Sequence, residues 1–417
     1  MRGRGARAAL MLAIAGMIAV VPADLTPAAE RVRHPANGAA APTKSVPQKS
    51  APPDIRIGLL LAGGAVAAAS DDMAAGVAMA FADVGGRVHG RKLDVVRADG
   101  DGTADAAAAL ARRLAAAPGV DVFVGPATAA EMPALQAAAA AARTPLIVPA
   151  SGAALAAVAT CSPYVLHLAP AGDQVAGQLG SWLGAQQPPR HVYVLAPSGN
   201  GGRAEAAAFK RQFEAAGGEL VGEEYVSGAT PDFSPYFAKL RLVGADALYA
   251  PFSGASAEAL TKQYGDAGLA KRIGLIGPAV TATADGEAIS AVDYVATLDT
   301  PENRRFRSEF TRRYGRPPSQ EAARGYDAGR LIVEGLKHIQ GHTDDRERLA
   351  AALAGASFTG PRGPIHADHR IGAALDRLYI VRARAHGDAR AYELLDRVTA
   401  AAVPAAADGC AAVAPSR

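Results

Sequence analysis

Asp121-Val122-Phe123-Val124-Gly125-Pro126-Ala127-Thr128, followed by EMPALQAAAAAAR over 131–143 and TPLIVPASGAAL over 144–155, is the stretch on which the fold turns. Val122 to Val124 and Leu146 to Val148 are short, wholly apolar runs of the kind buried strands show. Each ends in a small-residue loop that opens a helical pattern. Between them lies an Ala-rich run long enough for one crossover helix. Two strands joined that way are parallel, so the segment reads as a βαβ unit. Its two loops, Gly125-Pro126-Ala127-Thr128 and Pro149-Ala150-Ser151-Gly152, fall at carboxyl ends of strands and at amino ends of helices. Unpaired backbone N–H groups gather there and favour a small anion. In open α/β sheets that edge is where ligands bind.

Outward from this unit the pattern repeats. Strands are predicted at Ile55 to Leu61, Lys92 to Arg97, His191 to Ala196, Leu220 to Tyr225, Ala247 to Ala250 and Arg272 to Ile276. Helices are predicted at Asp72 to Val84, Ala104 to Ala116, Gly172 to Leu183, Ala204 to Ala216, Phe233 to Val243 and Ala257 to Ala267. Longer ones follow at Pro301 to Tyr314 and Ser319 to Ile339. Alternation of this kind means α/β with parallel sheets, and the break after Pro170 divides it into two similar halves. A chain of 417 residues, half of them hydrophobic, can bury two real cores. Gly199-Asn200-Gly201-Gly202 reads as a flexible loop between the halves. It lacks the Lys-Ser/Thr of a phosphate loop.

The first 23 residues combine Arg2, Arg4 and Arg7 with an apolar run from Ala8 to Val21 and a small-residue site at Val21-Pro22-Ala23. That is the pattern of a secretory signal peptide cleaved near Ala23. The competing reading is a membrane anchor, for which the run is short. Residues 24–53, rich in Ala, Pro and Ser, read as a disordered linker. The three arginines of the leader, taken from 43 Lys+Arg, leave 40 against 40 Asp+Glu. A neutral chain without basic runs argues against a nucleic-acid partner. Export implies an oxidising compartment, where Cys161 and Cys410 either pair or remain two thiols. Sequence does not give their separation.

The motifs then converge. They are Gly76 to Phe81 before Gly85-Gly86-Arg87-Val88-His89-Gly90, Asp99, Val124-Gly125-Pro126, Pro149-Ala150-Ser151, Gly244-Ala245-Asp246-Ala247, Arg313-Tyr314-Gly315-Arg316-Pro317-Pro318, Gly325-Tyr326-Asp327-Ala328 and Phe358-Thr359-Gly360-Pro361-Arg362-Gly363. In this order and spacing the chain resembles the type I periplasmic binding proteins, in particular the leucine/isoleucine/valine-binding group that serves ABC transporters. The likeness covers nearly all of residues 54–385. It implies an α/β fold of two Rossmann-like lobes, a Venus flytrap, joined by a three-crossover hinge. Lobe one would take 54–169 and 300–372, and lobe two 170–299 and 373–403, including Leu378 to Arg382. Residues 404–417 would form a tail. It further implies a periplasmic location, a small-molecule ligand clamped between the lobes, an inner-membrane permease as partner, a monomer, and no cofactor.

Carried over by position, the resemblance places a ligand carboxylate against Ala127 and Thr128 and against Ala150, Ser151 and Gly152. Ser and Thr at these points are also plain helix caps. For Ser151 the two roles are compatible, and for Thr128 either stands. Lobe two departs from the amino-acid-binding pattern. Asn200 stands where the family often has Tyr, and Phe252 replaces another Tyr. Ala279 follows Gly277-Pro278 where binders of an α-ammonium carry Glu. Gly152 replaces a Thr in lobe one. A buried ammonium without its carboxylate is costly, so the expected ligand is an organic or aromatic acid, an amide or a modified amino acid. The alternative is that Asp71, Asp72 or Glu287 supplies the missing charge.

No G-x-S-x-G elbow or H-E-x-x-H motif is present, so no enzyme is expected. His338 with His342, and His366-Ala367-Asp368-His369, read as surface clusters rather than metal sites. Tyr326 and Asp327, in the Gly-Tyr-Asp-Ala motif at a helix start, read as structural rather than as cleft contacts, with Tyr326 packing near the hinge. Leu61-Ala62-Gly63-Gly64-Ala65-Val66 lacks dinucleotide spacing. The second functional reading is a periplasmic sensor or a regulatory or structural protein on the same fold.

Overall fold

A computed structural model describes residues 53–116, 119–125, 131–149, 162–187, 190–230, 232–278, 288–368, 372–375, 377–386 and 389–399. The first run of chain comprises β1 (Ile55–Ala62), α1 (Ala67–Ala82), β2 (Arg87–Val88), β3 (Arg91–Gly100), α2 (Ala104–Ala115), β4 (Val122–Val124), α3 (Met132–Ala142), β5 (Leu146–Val148) and β6 (Val165–His167). They form one sheet in the order β2-β3-β1-β4-β5-β6. All neighbours in it are parallel except the short β2. Apart from Arg56, strand β1 (IRIGLLLA) is apolar because both faces are covered. Ile55, Ile57, Leu59 and Leu61 lie in one core, and Leu60 in another with Phe123, Leu146 and Val148.

The second run comprises α4 (Gly172–Gly184), β7 (His191–Pro197), α5 (Asn200–Ala215), β8 (Glu219–Val226), α6 (Ser234–Leu242), β9 (Ala247–Tyr249), α7 (Gly254–Asp266), β10 (Gly274–Ile276) and β11 (Ala288–Val292). The chain then returns through α8 (Pro301–Tyr314), α9 (Gln320–His338) and α10 (Arg346–Ala354) to a small antiparallel sheet. This sheet is β12 (Ser357–Gly360), β13 (Gly363–Asp368) and β14 (Gly372–Leu375). Finally β15 (Arg377–His386) and β16 (Ala389–Thr399) join the second sheet, whose order is β16-β15-β11-β10-β9-β7-β8. The molecule is thus two sheet bodies, with the chain crossing between them after β6, after β11 and after β14.

Helices α8 and α9 pack with α1 on the first body. Gly76 and Gly325 allow the closest approach. A Cβ on Gly76 would stand 2.1 Å from the Ala322 carbonyl oxygen, and one on Gly325 2.0 Å from that of Met73. On the second body α4 and α5 cover the face holding Val192, Val194, Tyr249 and Ile276. Helices α6 and α7 cover the face holding Leu195, Leu248 and Leu275.

Three expectations need correction. The second sheet is mixed rather than parallel throughout, because β15 runs antiparallel to β11 and β16 to β15. Residues 200–202 are not an interlobe loop but the first turn of α5, with Gly199 as its N-cap. Gly202 is required there because a Cβ would meet the Pro197 carbonyl oxygen at 2.4 Å. Strands β2, β6, β11, β12, β13, β14 and β16, and helix α10, had no counterpart in the sequence reading.

Candidate functional site

Parallel pairing brings the carboxyl ends of β1, β3, β4, β5 and β6 to one edge of the first sheet. The registers Leu59 to Val124, Val124 to Ile147 and Ile147 to Leu166 align them. Thr103 caps α2 beside this edge, its hydroxyl accepting from the Ala106 N–H at 3.3 Å. Gly125 ends β4 with φ +145°, and a Cβ there would lie 2.6 Å from the Leu60 carbonyl oxygen. The chain can make that bend only with glycine. The second sheet presents the ends of β7, β8, β9, β10 and β11 at its own edge.

Of the eight candidate ligand residues, Ala127, Thr128, Ala150, Ser151, Gly152 and Ala279 lie outside the described residues. So do Cys161, Cys410 and Glu287. Asn200 is exposed at the amino end of α5, directly beyond β7. Phe252 is 2% exposed and its ring sits edge-on to Phe233 at 5.2 Å, with an interplanar angle of 80°. That placement uses the ring for core packing rather than for an open face. Both described acids offered as substitutes for a residue-279 carboxylate are already engaged: Asp72 with Arg316, and Asp71 with Arg97 at 2.8 Å. His338, His342 and His366 are exposed.

Where the chain crosses between bodies, the structure assembles a group of which sequence reasoning had singled out only Asp327. Arg362, in the turn between β12 and β13, is fully buried. Its Nε donates to Asp327 Oδ2 of α9 at 2.5 Å. Nη1 donates to Asp293 Oδ2, just past β11, at 2.7 Å, and Nη2 to the Leu168 carbonyl oxygen, just past β6, at 3.0 Å. The Tyr379 hydroxyl of β15 donates to the Arg362 carbonyl oxygen at 2.8 Å. One arginine therefore touches all three crossings. Arg324 pairs with the two oxygens of Asp293, each at 2.9 Å, and Gln320 also donates to that carboxylate.

Burial alone would raise the Asp293 carboxyl, but the Arg324 and Arg362 guanidiniums outweigh it and hold it well below the usual carboxylate range. Asp327 lies the other way: burial pushes it up to about 6 against the pull of Arg362. Its Oδ1 has no hydrogen-bond partner among the described residues and sits against Gly360, where a Cβ would come within 2.0 Å of it. The only hint in the sequence was that Asp327 and Arg362 fall inside two of the quoted motifs. Tyr326, beside Asp327, packs on Phe306 with ring centroids 5.0 Å apart and donates to Asp83 at 2.7 Å.

Two α/β sheet bodies joined by three chain crossings are the architecture of the two-lobed class of solute-binding folds. Residues 54–388 match the family model described as periplasmic binding protein, and the chain belongs to that family. Among curated relatives, "Leu/Ile/Val-binding protein homolog 6" of Brucella abortus (strain 2308) is 30% identical over 229 residues. That alignment takes in 52% of this chain, and the chain spans 58% of the relative's length. An ABC transporter substrate-binding protein from Sphaerobacter thermophilus superposes with TM-score 0.75 at 29% identity, covering 84% of this chain and 98% of its own. A solute-binding protein of an ABC transporter from Rhodopseudomonas palustris BisB5, in complex with 3,4-dihydroxybenzoic acid, gives TM-score 0.72 at 26% identity, covering 83% and 98%. Family and neighbours are binding proteins, not enzymes.

Proposed function

We propose that this chain is the periplasmic solute-binding component of an ABC-type importer and that its ligand is a small organic acid, with aromatic carboxylates the first class to test. The observation that carries the reading is the Gly277-Pro278-Ala279 sequence, which puts a methyl group where a binder of α-ammonium would hold a carboxylate. Neither Asp71 nor Asp72 is free to replace it. The aromatic acid held by the Rhodopseudomonas neighbour supports the same class.

In this reading the carboxylate sits at the edge of the first sheet. The N–H groups of Ala127, Ala150 and Gly152 and the hydroxyls of Thr128 and Ser151 are its donors, as helix amino termini favour. Asn200 faces it from the second lobe. The lobes follow the two sheets, 54–169 with 300–372 against 170–299 with 373–403. Closure is stabilised by whatever the ligand gains from both faces at once, and a membrane permease reads the closed form. The protein acts as a monomer after removal of its leader near Ala23.

The test is a thermal-shift panel on the chain from Asp24 onward, covering amino acids, amides and aliphatic and aromatic acids. A ligand at one hundred times its Kd stabilises by about 2.7 kcal/mol. An aromatic or aliphatic acid that raises Tm while leucine does not is the expected result. Micromolar binding of leucine would overturn the choice of ligand class. A blank panel, after removal of any co-purified ligand, would favour the sensor or regulatory reading.

A further inference from the structure

The three crossings meet at one buried side chain, and the two acids that hold it are not equivalent. Arg362, in the β12–β13 turn of the first body, is tied to α9 of the same body by Asp327 at 2.5 Å. Its other two bonds reach the crossings, Asp293 after β11 at 2.7 Å and the Leu168 carbonyl after β6 at 3.0 Å. Tyr379 of β15 holds the backbone of the same residue at 2.8 Å. Rotation of one body against the other therefore works against bonds that converge on a single guanidinium. Asp293 is bonded through both oxygens, by Arg362, Arg324 and Gln320. Asp327 is bonded through Oδ2 alone. Its Oδ1 is buried, has no hydrogen-bond partner among the described residues, and lies against Gly360, where a Cβ would stand 2.0 Å away.

A carboxylate with one oxygen bare in the core carries a desolvation cost. A proton on that oxygen removes the charge and leaves Oδ2 to accept from Arg362 through a weaker, neutral bond. With both acids ionised, two guanidiniums face two carboxylates. With Asp327 neutral, Arg324 and Arg362 share the one charge of Asp293, and their own repulsion is no longer offset. Among the described residues, the other charged groups packed around α9 are engaged elsewhere. Arg330 acts on Asp327 but bonds Glu334, and Glu321 lies 3.7 Å from Arg324. Helix α1 gives Asp72 to Arg316, and Asp83 to Tyr326 and Arg305. Arg307 of α8 acts on Tyr294, whose hydroxyl bonds Asn303. Helix α10 turns Arg346 to Asp121 and Glu347 to Arg143, and Arg87 of β2 donates to the Gly90 carbonyl. Arg377 and Arg397 act on Tyr379.

We propose that Asp327 is a proton-operated latch on the connection between the two bodies. Ionised, it holds Arg362 to α9 and keeps the three crossings together. Protonated, it releases the arginine and its turn, and the bodies swing over a wider range. This goes beyond the ligand reading, since it concerns the unliganded chain and holds for a transport or a sensing role alike. Burial, which pushes the Asp327 carboxyl up to about 6, sets the change between neutral and mildly acid conditions. Apparent affinity scales with the fraction of protein in the binding-competent form, so the latch makes solute capture respond to acidification.

Dipolar electron spin spectroscopy on the unliganded, leader-free chain tests this. Spin labels go on Asp105→Cys at the start of α2 and Ala204→Cys near the start of α5, both exposed, with Cys161 and Cys410 replaced by Ser. The distribution of distances between the labels is expected to widen as pH falls from 8 to 5, with a midpoint near 6. Asp327→Asn, which mimics the protonated acid, should give the wide distribution at both ends of the range. Arg362→Lys should do the same, because an ammonium cannot fork between two acids, and it decides the question if Asp327→Asn does not fold. Melting curves run alongside. A carboxyl raised in the fold does not weaken it in acid, so widening without a fall in Tm is the signature of the latch. A wild-type distribution that is the same at pH 8 and pH 5 overturns the proposal. So does a transition that persists in Asp327→Asn, which assigns it to another group. Widening that follows a loss of Tm overturns it as partial unfolding.

Discussion

Replacing Arg362 by Met should cost this protein a large share of its stability, by an amount that depends on pH. The side chain is fully buried and makes three charge-assisted bonds, to Asp327, Asp293 and the Leu168 carbonyl. Met fills much of the volume but leaves those acceptors behind. Asp293 keeps Arg324 and Gln320. Asp327 loses the guanidinium that opposes its burial. Removing one partner of a buried ion pair costs about 3–5 kcal/mol, against a total of about 5–15 kcal/mol for a typical domain. Asp327 already sits at about 6 with Arg362 in place, and its removal moves the carboxyl further up. A carboxyl raised in the fold binds a proton that the unfolded chain releases, so its stabilising contribution holds at low pH and fades as pH rises through the folded value. The loss in Arg362→Met should therefore be larger at pH 8 than at pH 5. Asp327→Asn in the same chain should recover much of it at pH 8. Urea titration read by Trp182, the single tryptophan, whose indole N–H donates to Asp396 at 3.0 Å, gives the numbers. A loss below about 1 kcal/mol, or a loss identical at the two pH values, would refute the network as described.

Glu205→Gln should stabilise the unliganded protein. A carboxyl moved from 4.5 to about 7 carries a penalty of about 3 kcal/mol at pH 7 and under about 1 kcal/mol at pH 5. Melting curves at the two pH values check this, and a variant whose gain does not grow with pH would show the carboxyl to be solvated. Gly325→Ala should destabilise by about 1–3 kcal/mol or more, because the new methyl group would lie 2.0 Å from the Met73 carbonyl oxygen. Gly199→Ala, with nothing within 4 Å of its Cβ, should change Tm little by comparison in the same scan.

Much of the α/β framework was readable because its strands are local apolar runs with clear breakers. Strands β4 and β5 have the bounds their sequences suggest, and α8 begins at Pro301 and ends before Gly315 with φ +71°. What escaped reading was non-local. Strand β16 (ARAYELLDRVT) is polar and half-exposed, and it is a strand because β15 is beside it. Strand β11 is five residues long and is fixed by β10 on one side and β15 on the other. Phe252 could have been a cleft aromatic or a core residue from sequence alone. Phe233, from the loop before α6, decides the matter by meeting its ring. Asp293 and Arg362 look like surface charges until the fold buries them against each other. Asn200 was sought in a loop but starts a helix, because Gly202 lets that helix dock on Pro197.

The order in which the chain visits its two bodies has a consequence for how it acquires its structure. Strand β1 is made early, yet α9, which covers it, is not available until residue 338, after the whole second run has been made. The second sheet in turn waits for β15, whose Tyr379 to Ala383 must find Val292 to Ala288. Neither body can close as its own residues emerge. Contacts of this separation slow folding and prolong the exposure of apolar surface. A growing or truncated chain that stops near residue 300 lacks α8 and α9 on the first body and β15 and β16 at the edge of the second sheet. Late closure of this kind suits a polypeptide that must stay threadable until it is nearly whole.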